Sequence, residues 1–162
     1  MLVGLIESII IIFFAGKLMD ILANNEKLAD RLTIAGIMVV VAVLTYIQLK
    51  PYPMDYVDGS LLVDPEKMMN DTFKACGGFL GFLIAAYVDR HYMHYTVPVG
   101  AKNLPVLACV GVAIVFSYKE YFENATVVAM FGTHWGYLAS RFIIVFFAMV
   151  IYPMVIKKYA NE

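Results

Sequence analysis

The chain has 162 residues, 62% hydrophobic and only 15% charged, with a mean hydropathy of +0.76 and a formal net charge of −1. A soluble domain carries about a quarter charged residues, so the composition points to a bilayer as the solvent. The near-neutral balance leaves no basic footprint for nucleic acid, and Cys76 and Cys109 both sit in apolar runs, where they read as small hydrophobes instead of a disulfide.

Five apolar segments follow one another along the chain, at residues 1–21, 32–49, 68–88, 104–118 and 137–156. Each is about as long as a bilayer crossing requires, and in hydrocarbon every backbone polar group needs an internal partner, so each is expected to be a helix. The fold class this predicts is all-α: an integral membrane bundle of about five transmembrane helices. The first segment has neither the charged start nor the small-residue cleavage site of a signal peptide, and reads as a retained helix.

Basic residues between the segments orient the bundle. Lys17, Lys27, Arg31, Arg90, Lys102, Lys157 and Lys158 fall on one side, seven in all, against three, Lys50, Lys67 and Lys119, on the other. The positive-inside rule then predicts a multi-pass protein of the cytoplasmic membrane, with its amino terminus outside and its carboxyl terminus in the cytoplasm.

Two stretches outside the apolar runs carry local signals. In Lys50-Pro51-Tyr52-Pro53 the prolines end any helix. Asp58-Gly59, between Met54-Asp55-Tyr56-Val57 and Ser60-Leu61-Leu62-Val63, then predicts a short β-hairpin near 54–63 on the outer surface. Asp64-Pro65 reads as a helix cap followed by proline in the first helical position. Later, residues 125–156 form an apolar stretch of about 48 Å if helical, more than a bilayer needs. A break is therefore expected between Gly132 and Gly136, leaving 125–131 as a short surface or re-entrant segment.

Ionisable groups inside a membrane are costly and each needs an account. Glu7 and Arg141 lie at similar depth in the first and fifth segments. They either meet inside the bundle or, the favoured reading, Arg141 snorkels outward while Glu7 sits among headgroups. Asp71 and Lys74 are spaced for a local ion pair. Gly77, Gly81 and Ala85 recur every four residues, with Gly78 beside them, and form a face on which another helix can pack closely, in the same subunit or a second copy. His91 and His94 are too few for a zinc site, so no metal or other cofactor is expected. His134, beside Trp135 and Tyr137, reads as part of an interfacial belt. Asn70-Asp71-Thr72 and Asn124-Ala125-Thr126 match the glycosylation pattern at a length where chance matches are common. No phosphate loop, nucleophile elbow or catalytic carboxylate pair is present in the sequence.

One stretch carries a family resemblance. Lys50-Pro51-Tyr52-Pro53-Met54-Asp55-Tyr56-Val57-Asp58-Gly59, then Leu61-Leu62-Val63-Asp64-Pro65-Glu66-Lys67-Met68, Phe73-Lys74, Gly77 and Gly81-Phe82-Leu83-Ile84 resemble a bacterial branch of the type 2 phosphatidic acid phosphatase superfamily. Members of that branch have a six-helix lipid phosphatase core followed by extra membrane helices. The resemblance implies that residues 1–24 correspond to the last core helix and 25–162 to a four-helix extension. Met1-Leu2-Val3-Gly4 is similar to the start of that last helix, which runs from outside to inside, as the charge count also predicts.

The family's chemistry needs a Lys-x6-Arg-Pro, a Pro-Ser-Gly-His and a Ser-Arg-x5-His-x3-Asp motif, and this sequence has none of them. In the Ser140-Arg141 pair the histidine and aspartate positions fall on Phe147 and Ile151, so no catalytic residue carries over. The expectation is a non-catalytic membrane portion of a lipid phosphate or polyprenyl diphosphate phosphatase, either a piece of a longer chain or a paralogue without the catalytic core. Its partners would be membrane lipids and the separate catalytic core or a second copy. The alternative is a self-standing membrane scaffold, assembly or transport subunit.

Overall fold

A computed structural model describes residues 13, 14, 16, 17, 21, 22, 24–51, 56, 57, 60, 61, 64–94 and 104–159. The chain divides into two compact units, Met1–Ala35 and Gly36–Glu162. Most of the first apolar segment, including Glu7, lies outside the described residues. In the first unit the Lys17 ammonium sits 5.1 Å from the ring centroid of Phe13.

Helix α1 spans Glu26–Leu49. It begins six residues earlier than the apolar run because Asn25 caps it: the Asn25 side-chain oxygen accepts from the Leu28 amide at 3.1 Å. The charged residues between 26 and 31, read from the sequence as loop, therefore occupy the first turns of the helix. Thr33 and Thr45 return their hydroxyls to the carbonyls of Ala29 and Val41, at 3.0 and 2.8 Å, so neither brings an unpaired donor into the helix.

The helix ends at Pro51, which has no donor to continue the ladder. Two short strands follow, β1 (Tyr56–Val57) and β2 (Ser60–Leu61), antiparallel with Tyr56 opposite Leu61 and Val57 opposite Ser60. The Asp58-Gly59 pair between them lies outside the described residues.

Helix α2 (Pro65–Val88) starts on the cap that Asp64 supplies: its carboxylate accepts from the amides of Glu66 and Lys67 at 3.0 and 3.3 Å, with Pro65 in the first turn. It continues as a π-helical turn over Asp89–Met93 and stops at His94, whose φ of 46° reverses the backbone. Gly36 lies against Leu83, while Val40, Leu44, Phe73 and Cys76 bury one another, with Ile47, Met69, Leu80 and Leu138 packed around them. From Gly36 onward, α1 thus runs antiparallel to α2.

The next stretch is helical throughout: α3 (Leu104–Ser117), a π-helical run over Tyr118–Val128, and the single turn α4 (Ala129–Phe131). The break falls at Gly132, whose φ of 79° and ψ of 170° belong to a region only glycine occupies without strain. Residues 125–131 are therefore the continuation of the α3 helix and not a separate surface segment. After the break come α5 (Thr133–Phe146), a π-helical turn over Phe147–Ile151 and α6 (Tyr152–Tyr159). The new helix starts four residues before the apolar run, immediately after the glycine.

Gly136 lies against Val128, and Gly111 against the ring of Tyr152. The residue numbers rise on one side as they fall on the other, so 111–128 runs back alongside 136–152. Three helical stretches among the described residues are long and apolar enough to cross a membrane: Glu26–Leu49, Pro65–Met93 and Thr133–Lys157. Their outward faces carry large apolar side chains, such as Ile34, Met38, Phe79, Phe82 and Ile143, as a hydrocarbon solvent allows.

Candidate functional site

Among the described residues the closest packing is the seam between α2 and α5. Asn70 meets His134, Gly77 meets Leu138, and Gly81 meets Phe142. Both sets of numbers rise together, so the two helices are parallel. A Cβ on Gly77 would collide with the backbone carbonyl of Leu138, and one on Gly81 would stand 2.9 Å from the carbonyl oxygen of Phe142. Ala85 closes the stripe with no exposed surface at all, and Ser140 opposite is equally buried. Gly77, Gly81 and Ala85 thus form a face turned toward the interior of this subunit. In lipid, where apolar association gains nothing from water release, such backbone-to-backbone approach supplies the van der Waals attraction between helices. The Ser140 hydroxyl finds no hydrogen-bond partner among the described residues, and we have no physical account of it.

The seam ends in a polar cap. His134 Nδ1 and Asn70 Oδ1 are 2.7 Å apart, so a proton on Nδ1 makes histidine the donor and the asparagine carbonyl the acceptor. Phe73, only 1% exposed, packs below them: its ring lies 5.3 Å from Trp135, edge to face, and 5.5 Å from His134. His134 is accordingly half-buried and joined to α2. Asn70 is half-buried on α2 with its side-chain oxygen engaged by His134.

Beside this cap is a cleft of ≈ 290 Å³ lined by Asp64, Glu66, Lys67, Asn70, Asp71 and Lys74 from α2 and Tyr137 from α5. Positions 64, 67, 71 and 74 fall on one helical face at alternating three- and four-residue spacing, so the cleft presents charges of alternating sign. Lys74 is held from two directions: 3.2 Å from an Asp71 carboxylate oxygen, and 4.4 Å over the Tyr137 ring. A half-exposed pair of this kind adds about 0–1 kcal/mol and fixes the lysine's place more than it stabilises the fold.

The remaining predicted residues lie elsewhere. Arg141 is half-buried on α5 and engaged by its surroundings; the Glu7 proposed to meet it is outside the described residues. His91 stacks on Tyr87 with centroids 4.3 Å apart. Among the described residues no three His, Cys, Asp or Glu side chains gather as a metal site would require.

The Asn70–His134 and Lys74–Tyr137 contacts were not anticipated from the sequence, because each joins residues more than sixty positions apart. Their one local signal is that His134 and Tyr137 share a helix face three residues apart, as do Asn70 and Lys74 four apart.

No family model matches this chain, and neither a curated protein nor a solved structure does.

Proposed function

We propose that this chain is a non-catalytic membrane module, a helical scaffold belonging to the extra-helix portion of a lipid phosphate or polyprenyl diphosphate phosphatase. The observation that carries the scaffold role is the α2–α5 seam. Its small residues are consumed in backbone contact, and the histidine and asparagine at its end bind each other instead of framing a reacting centre. A histidine nucleophile with an acid/base partner and a basic phosphate clamp is what phosphoryl hydrolysis needs, and the sequence carries no motif of that kind. The phosphatase connection rests on the resemblance of residues 50–92 and of Met1-Leu2-Val3-Gly4.

Two parallel helices support a further crossing between them. If α2 and α5 traverse the bilayer in the same sense, the chain must return between them, and 104–131 runs antiparallel beside α5 over comparable length. With the first apolar segment this makes five crossings, the amino terminus outside and the carboxyl terminus in the cytoplasm of a plasma membrane. The cap of the seam then lies on the outer side.

The test is hydrolysis of lipid phosphates and polyprenyl diphosphates by the purified chain, where no phosphate release above a detergent blank is expected. Turnover abolished by substituting His91, His94 or His134 contradicts the reading. Cysteines placed at Ser60 and Asn161, in a background lacking Cys76 and Cys109, report the topology in intact cells. An impermeant thiol reagent is expected to reach position 60 and not 161.

A further inference from the structure

The cleft at the start of α2 has a chemistry that scaffolding does not use. The stretch Pro65–Met93 is 29 residues long, about 44 Å as a helix, against a hydrocarbon core of about 30 Å. The charges gather at its two ends, with Glu66, Lys67, Asp71 and Lys74 in the first turns and Asp89, Arg90 and His91 in the last, and residues 75–88 between them carry none. The charged turns therefore stand at headgroup depth, beside the exposed Trp135 that marks an interface. A cleft there opens to lipid headgroups before it opens to any solute.

Its lining separates by sign and by engagement. Asp64 accepts from two backbone amides, and Asp71 holds Lys74. Lys67 and Glu66 are the exposed opposite charges that remain at the cleft. Because the Asn70 oxygen faces His134, its amide hydrogens are available as donors. Lys67, Asn70 and Lys74 thus converge as donors for an anionic oxygen, with Glu66 beside them as acceptor for a cation. The volume is near the lower end of the range of about 300–1,000 Å³ for small-molecule sites, suited to a headgroup whose tails remain in the bilayer.

We propose that this cleft binds the headgroup of a zwitterionic phospholipid of the phosphate–ammonium class, in the leaflet where α2 begins. The phosphodiester oxygens face Lys67, Asn70 and Lys74, and the primary ammonium donates to Glu66. His134 is a positioning residue that orients Asn70. The inference rests on the reading that α2 and α5 cross a membrane, which resistance of the chain to alkaline extraction tests separately.

The experiment offers the delipidated full chain equal amounts of phosphatidylethanolamine, phosphatidylcholine and phosphatidylglycerol with identical acyl chains, and reads the bound lipid by native mass spectrometry. Phosphatidylethanolamine is expected to be retained about tenfold over the other two, the factor that one charged hydrogen bond supplies. Phosphatidylcholine keeps the phosphate but has no ammonium hydrogen, and phosphatidylglycerol has no cation. Glu66→Gln is expected to erase the preference over phosphatidylcholine, and Lys67→Gln to lower retention of all three. Equal retention of the three lipids by the unaltered chain, or a preference that survives both substitutions, overturns the proposal. In the unaltered chain, which needs no variant to fold, soluble O-phosphoethanolamine is expected to compete only weakly. Displacement at equimolar concentration would identify a site for a soluble phosphate ester and overturn the lipid assignment.

Discussion

The helical stretch 133–159 packs against its two neighbours through contacts of two kinds. Toward α2 the contacts are backbone on backbone: Gly77 against the Leu138 carbonyl and Gly81 against that of Phe142, with Ala85 and Ser140 sealed between. Toward the 104–131 stretch, Gly136 also meets backbone, at Val128, but at the far end Gly111 of α3 meets a side chain of α6. Gly111 lies 2.5 Å, measured from where its Cβ would be, from the edge of the Tyr152 ring, and an apolar groove of ≈ 320 Å³ opens there between Val112, Val115, Phe116 and Phe147. Both faces use small residues, and among these contacts the one at Gly111 is the one made with a movable group. A ring can swing away from an added methyl group, whereas a carbonyl in a helix can move only if the whole helix does.

Substitutions exploit that difference. The largest effects are expected at the seam, where even alanine at position 77 meets the Leu138 backbone: Gly81→Leu, and to a lesser degree Gly77→Ala, should lose about 1–3 kcal/mol by forcing the helices apart, read as a lower unfolding midpoint in detergent. Gly111→Ala should lose less, about 0.5–1.5 kcal/mol, the scale of pushing one side chain off its rotamer. An equal loss at Gly111 and Gly77 would mean that the two contacts do not differ in rigidity. Ser140→Ala is expected to be neutral or slightly stabilising, because it removes a buried hydroxyl that has no partner among the described residues. A clear loss of stability would assign that hydroxyl a bond.

Local chemistry made part of this arrangement legible. Asp64 and Pro65 announce the start of α2 because capping involves only neighbours in sequence, and Gly132 announces the break because few residues tolerate its backbone. Hydropathy alone starts α1 too late, because Glu26, Lys27, Asp30 and Arg31 look like loop, whereas the Asn25 cap begins the helix before them. The stripe at 77, 81 and 85 is visible as periodicity, but its partner is not, since any helix accepts a smooth face. The polar cap was opaque for the same reason: a hydrogen bond between positions 70 and 134 leaves no mark on either local sequence.

Whether the stripe serves the interior of one subunit or a contact between copies is the question on which the scaffold account turns. Paired cysteines at Asn70 and His134, in a background lacking Cys76 and Cys109, address it directly, because those positions face each other across the seam. Oxidation in membranes is expected to yield a cross-linked species that migrates as a monomer, with no such product when the second cysteine is moved to Tyr152. A product found only as a disulfide-linked dimer would place the partner helix in another chain and contradict the parallel α2–α5 seam.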